Sequence, residues 1–138
     1  LPETALIDMG DFAGGLLKYL RQNPIERLTI AGGIGKLTKL AQGAMDLHSS
    51  RSEVNMNGLA DMLVQLGAKT DTITKARKAN TASEVLELAQ KKNLALGHLI
   101  ARQARESALA TLSGGTEINV MAFDRNGICV GKSNLNND

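Results

Sequence analysis

Ile25-Glu-Arg-Leu-Thr-Ile-Ala-Gly-Gly-Ile-Gly-Lys-Leu-Thr-Lys-Leu-Ala-Gln-Gly-Ala-Met-Asp-Leu-His-Ser49 is the stretch that decides the fold of this 138-residue chain. A short β-branched run, Leu28 to Ala31, stops at Gly32-Gly33. Gly35 follows, and then Leu37, Leu40, Ala41 and Met45 recur at helical spacing. A strand that feeds a glycine loop and then a helix builds an anion site at the carboxyl end of a sheet. Glycine lets backbone N–H groups approach a ligand, and a helix N-terminus favours negative charge. A Cβ at Gly33 or Gly35 would block that approach or demand a disallowed φ. Lys36 and Lys39 fall on the first turn of the helix, read as Lys36 to Gln42, and the stretch closes on the polar run Asp46, His48, Ser49 and Arg51.

Two familiar phosphate motifs do not fit this loop. A P-loop needs glycine five residues before Gly35 and Ser or Thr after Lys36, where Ile30 and Leu37 stand. The dinucleotide fingerprint needs a glycine three residues after Gly35, where Thr38 stands. From the loop alone, a ligand site and a plain strand–helix turn with solvated lysines are equally supported.

Working outward, Phe12, Leu16, Tyr19 and Leu20 predict a helix that ends at Asn23-Pro24. Ala5-Leu6-Ile7 reads equally as a strand or as that helix's entry. Met56, Leu59, Leu63 and Leu66 form a second stripe, capped by Asn55 or Asn57 and stopped by Gly67. Residues 68–80 are polar and basic and read as a connection. Thr81-Ala-Ser-Glu84 is a capping box that opens a helix with Val85, Leu88 and Ala89 inward, halting near Asn93. A longer helix, roughly Leu94 to Leu112, carries Leu96, Ile100, Ala104 and Ala108 on one face and ends at Ser113-Gly114-Gly115. Ile118 to Phe123 reads as a strand, Asn126-Gly127 as a hairpin turn, and Ile128 to Gly131 as the returning strand. The order implies one α/β domain over 1–138: a small sheet with parallel strands plus an antiparallel edge hairpin, and helices on both faces.

Composition narrows the function classes. Net charge is +2 and three aromatic residues are present (Phe12, Tyr19, Phe123), which argues against a nucleic-acid surface built on basic charge and base stacking. No apolar run approaches membrane-spanning length, and the chain reads as cytoplasmic. The single cysteine, Cys129, excludes an internal disulfide and a Cys-based zinc site; in its apolar strand it reads as a buried structural thiol. No metal site is expected. Lysines and arginines gather at Lys36, Lys39 and Arg51 and again at Lys69, Lys75, Arg77 and Lys78, either as a solvated face or as a seat for a polycarboxylated ligand.

Three blocks together are more specific than any one of them: Ala5-Leu-Ile-Asp-Met-Gly-Asp-Phe12, Ala31-Gly-Gly-Ile-Gly-Lys-Leu-Thr-Lys-Leu-Ala-Gln-Gly43, and Leu47-His48-Ser49. In order and spacing they resemble the CbiD family of cobalt-precorrin-5B (C1)-methyltransferases, over nearly the whole chain and within the C-terminal part of that longer family. Asp46-Leu47 departs from the small polar pair expected before His48.

The resemblance implies transfer of a methyl group from S-adenosylmethionine to a cobalt-corrinoid substrate. It also implies a missing N-terminal domain as partner, and it leaves homo-oligomerisation open. On it, Gly32, Gly33, Gly35 and Lys36 bind an anionic or polar part of a ligand, with Lys39 a turn further on. His48, beside Ser49 and Arg51, is the candidate catalytic residue. Asp8 and Asp11 either charge a helix N-terminus or bond ribose hydroxyls. His98, inside a regular helix, reads as structural. The competing reading is a non-catalytic α/β module that holds an anion or a partner chain.

Overall fold

A computed structural model describes residues 4–8, 19–23, 25–43, 54–112 and 115–133, with 4–8 described as backbone. Its strands are β1 (Thr4–Asp8), β2 (Arg27–Gly33), β3 (Glu117–Phe123) and β4 (Cys129–Lys132). Its helices are α1 (Ile34–Ala41), α2 (Met56–Gln65), α3 (Thr70–Lys78), α4 (Ala82–Lys91) and α5 (Leu96–Leu112). Residues 19–22 are helical as well. Tyr19, placed in the apolar stripe of that segment, is 60% exposed, whereas Leu20 is buried.

The sheet runs β1-β2-β3-β4. β1 pairs with β2 and β2 with β3 in parallel, while β4 returns antiparallel. This is the expected α/β arrangement of parallel strands with an antiparallel edge, and Ala5-Leu6-Ile7 proves to be strand.

Period-2 alternation explains why these segments extend. Leu28, Ile30, Ile118, Val120 and Ala122 are fully buried on one face. Leu37 and Leu40 of α1 and Leu96, Ile100, Ala104 and Ala108 of α5 join them in one apolar cluster. Each large aliphatic side chain buried there contributes about 1.5–3 kcal/mol. Coverage of the two faces is unequal, since Thr29, Ala31, Asn119 and Met121 on the other face are only half-buried.

α5 lies along α1 and against β3 and β4, while α2, α3 and α4 pack together beside them. Alanines on α5 (Ala101, Ala104, Ala108, all fully buried) let neighbouring backbones come close, which suits a core with so few aromatic rings.

Two caps form as read. Asn55 Oδ1 accepts the Gly58 N–H at 3.0 Å, and Thr81 Oγ1 accepts the Glu84 N–H at 3.2 Å. The Glu84 carboxylate reaches back to the Asn80 N–H at 3.3 Å. Gly67 and Gly127 adopt the left-handed conformation (φ 83° and 81°) that stops α2 and turns the hairpin.

Residues 70–78, read as part of a connection, form α3 instead. The helix hides Thr72 and Ala76 and half-buries Ile73, a stripe too sparse in large apolar residues to show as a period. Cys129 is half-buried rather than buried, with its thiol 3.6 Å from the Gly131 carbonyl oxygen. Among the described residues, no helix is long and apolar enough to cross a membrane.

Candidate functional site

Three parallel strands end at one edge of the sheet. Asp8, the last residue of β1, pairs with Ala31, and Gly33, the last residue of β2, pairs with Phe123. Adjacent strands lie about 4.8 Å apart, so the β1 exit, the glycine pair and the β3 exit are neighbours. Open α/β sheets bind ligands outside such carboxyl ends.

The glycines do not form a separate loop. Gly32 and Gly33 continue β2, paired with Ala122 and Phe123, and α1 begins at the next residue, Ile34. The helix therefore starts two residues before Lys36. Ile34, 3% exposed, anchors that start in the core. Gly33 is the N-cap with φ −70° and ψ 155°, an ordinary extended conformation, so no disallowed φ constrains it. Gly35 lies inside the first helical turn. Among the described residues, a Cβ on Gly33 or Gly35 would meet nothing within 4 Å. Gly33 is exposed, Gly35 half-buried and Gly32 buried.

The N-terminus of α1 differs electrostatically from those of α2, α3 and α4, while α5 likewise has no acidic residue in its first turn. A helix leaves its first N–H groups without intrahelical partners, and a side-chain cap or an acidic residue usually answers them. Asn55 does so for α2 and Thr81 with Glu84 for α4. α3 carries Asp71 in its first turn, whose carboxylate accepts the Thr72 N–H at 2.9 Å. α1 has neither a side-chain cap bond nor an acidic residue, and Lys36 stands in its first turn. A cation there opposes the helix dipole by a few tenths of a kcal/mol, an arrangement that an incoming carboxylate or phosphate would relieve.

Lys36 and Lys39 are both half-buried. Lys39 lies in the last turn of α1, where its charge complements the helix C-terminus and stands a turn away from the glycine end. Thr38, fully buried, satisfies its hydroxyl by donating to the Ile34 carbonyl at 2.6 Å.

The structure thus brings Asp8, Gly32, Gly33, Gly35 and Lys36 to one edge, Asp8 by its backbone position. Asp11, His48, Ser49 and Arg51 lie outside the described residues. His98 is structural, as read: its Nδ1 accepts the Lys132 N–H at 3.0 Å. Sequence reasoning passed over Phe123, whose place beside Gly33 appears only once β2 and β3 are known to be parallel neighbours.

The second basic group builds no comparable site. Arg77 is engaged with Asp61 and Asn57, and Lys75 and Lys78 line an open groove shared with Glu84 and Glu87. Among the described residues, no group of three or more His, Cys, Asp or Glu side chains gathers.

Comparison with known proteins adds what this geometry lacks. The family described as "CbiD, C-terminal domain" matches residues 46–134. The cobalt-precorrin-5B C(1)-methyltransferase of Brucella ovis is 54% identical over 128 residues, which is 92% of this chain and 35% of that protein. The protein of the same name from Hahella chejuensis is 51% identical over 131 residues, 95% of this chain and 35% of its own length. The chain therefore spans about a third of the length of the curated relatives it matches. No solved structure matches it.

Proposed function

The chain belongs to the CbiD family, as its C-terminal domain, and on that premise we propose that it forms part of a cytoplasmic methyltransferase. The proposed reaction moves a methyl group from S-adenosylmethionine to C1 of cobalt-precorrin-5B in anaerobic cobalamin biosynthesis. The observation that carries the site assignment is the uncapped, acid-free turn Gly33–Lys36, with open space above it at the carboxyl edge of three parallel strands.

Methyl transfer from a sulfonium to a ring carbon is an in-line displacement, so the protein's task is to orient donor and acceptor. The donor supplies an electrophilic methyl group. The open space at Gly33 and Gly35 fits a ligand that meets the backbone directly, and the N–H groups at the start of α1 with Lys36 would hold a carboxylate. Asp8 and Asp11, at and just after the β1 exit, suit ribose hydroxyls. The Arg51 guanidinium suits a second carboxylate of the corrinoid, with Ser49 beside it, and Lys39 contributes positive potential one turn along. His48 either bonds a substrate carboxylate or carries a proton near neutral pH.

On this reading residues 1–138 are one domain of a larger site, completed by the two-thirds of the relatives' length that the chain does not span. Residues 1–138 alone should be catalytically poor; full-rate methyl transfer by them would overturn the division of labour. Calorimetric titration of the chain with S-adenosylmethionine and with the corrinoid tests which ligand it holds, and binding of neither would leave the anion- or partner-binding module as the surviving reading.

Kinetics of His48→Ala in the full-length enzyme test the remaining role. Loss of proton transfer lowers kcat by about 10²–10⁴-fold and alters the pH profile, whereas loss of positioning raises KM. A wild-type rate and pH profile would remove His48 from the site.

A further inference from the structure

The steps from β1 to β2 and from β2 to β3 cross the sheet in the same direction, between parallel strands. Such connections are right-handed, so both return over the same face of the sheet. That face carries Leu28, Ile30, Ile118 and Val120, which share one apolar cluster with Leu20 and with residues of α1 and α5.

Register lays out the opposite face row by row. Leu6, Thr29 and Asn119 stand side by side, and so do Asp8, Ala31, Met121 and Lys132. Thr29, Ala31, Asn119 and Met121 are half-buried and Lys132 is exposed. Among the described residues, the side chains of Thr29 and Asn119 have no hydrogen-bond partner. Parallel sheets occur almost only with both faces covered, and a side-chain amide in the middle of a face suits a polar partner.

The size fits a neighbouring domain. The two central strands have seven residues each. With four strands about 4.8 Å apart and a rise of about 3.3 Å per residue, the face spans roughly 400 Å². Counted on both partners, that falls within the range of about 600–1,500 Å² for interfaces between domains of one chain, which are polar in character. The curated relatives hold about two-thirds of their length outside the part that this chain matches.

We propose that this second face of the sheet is the docking surface for the remainder of the full-length enzyme. The face runs to the carboxyl edge, where Phe123 lies beside Gly33. The docked part therefore also forms a wall of the ligand space at the start of α1. That wall rests on the proposed role of the Gly33–Lys36 turn; the docking does not.

The test is thiol labelling of the full-length protein with a maleimide, read site by site by peptide mass spectrometry so that Cys129 is followed separately. Leu88→Cys is the reference, because Leu88 is likewise half-buried but lines an open groove beside α4. Thr29→Cys and Met121→Cys should react at least about tenfold more slowly, since reaction there waits for the domains to part. The protection should not change on dilution. A benzophenone amino acid placed at position 132 should cross-link to the enzyme outside residues 1–138.

Equal labelling rates at the three sites, or cross-links confined to residues 1–138, would overturn the docking. Protection that fades on dilution would make the occupant a second copy and overturn the assignment to the same chain. Labelling needs no substrate, so it reads the docking whether or not the chain holds either proposed ligand. Met121→Arg sets a cation in the middle of the face and should speed the labelling of Thr29→Cys about tenfold while lowering kcat/KM. Wild-type kcat/KM in that variant, with Thr29→Cys made reactive, would overturn the wall.

Discussion

Two pairs of glycines in this domain do opposite things. Gly97, in the first turn of α5, and Gly131, in β4, face each other. A Cβ on Gly97 would fall on the Val130 carbonyl, and one on Gly131 would fall on the Gly97 carbonyl. Gly33 and Gly35, where β2 becomes α1, face open space among the described residues.

The first pair lets the chain meet itself. β4 slips register between Ala122 and Phe123, so that Val130 has no partner on β3. Such a bulge bends the strand, and here the Val130 carbonyl rests on α5. His98 takes the Lys132 N–H on the same side. The His98 bond takes up one backbone donor of this edge strand, which an unpaired edge would leave open. The second pair meets no described backbone in this way. Close backbone approach is what glycine supplies in both places; the partner is internal in one and external in the other.

That contrast can be broken at several points. Gly131→Ala should have the largest effect on folding. Its methyl group meets backbone on α5, which cannot rotate away, and overpacking of this kind costs about 3 kcal/mol or more. A urea midpoint equal to wild type would show the seam to be adaptable.

Ser133→Ala comes next. The Ser133 hydroxyl accepts the buried Val120 N–H at 2.8 Å, and leaving that donor without a partner costs about 1–3 kcal/mol. His98→Ala should cost about 1 kcal/mol or less, because the Lys132 N–H it frees is exposed to water. Urea denaturation checks both values.

The smallest effect on stability belongs to the other pair. Gly33→Val and Gly35→Val should fold within about 1 kcal/mol of wild type, since neither glycine has a positive φ and a Cβ at either meets no described atom within 4 Å. Yet both should abolish ligand binding in calorimetric titrations. Normal binding by both would make the turn a connection and nothing more.

Local rules made much of this legible. The capping box at Thr81, the cap at Asn55 and the Asn126-Gly127 turn each rest on a few neighbouring residues, and each formed where it was read. That β2 and β3 run parallel followed from the long helical stretch between them, whereas their direct pairing emerged from the fold. α3 stayed hidden because burial of Thr72 and Ala76 depends on neighbours far along the chain, not on their own apolarity.

For the site, the glycines and Lys36 were visible as a motif. Their meaning was not, because an open turn and a closed seam differ only in what stands opposite each glycine. Gly97 and Gly131 lie 34 positions apart, and no local pattern joins them. The bonds between the Gln42 side chain and the Asn55 backbone were invisible for the same reason, since 13 positions separate the two residues.

The central claim is that the backbone at the start of α1 faces a ligand. Its most direct test is an amide chemical-shift titration of the protein with S-adenosylmethionine and, separately, with the cobalt-corrinoid. The account predicts that the Ile34, Gly35 and Lys36 amides shift with one of the two ligands, and that Gly35→Val abolishes the shift while leaving the fold intact. Saturable binding of both ligands with those three amides unmoved would contradict it.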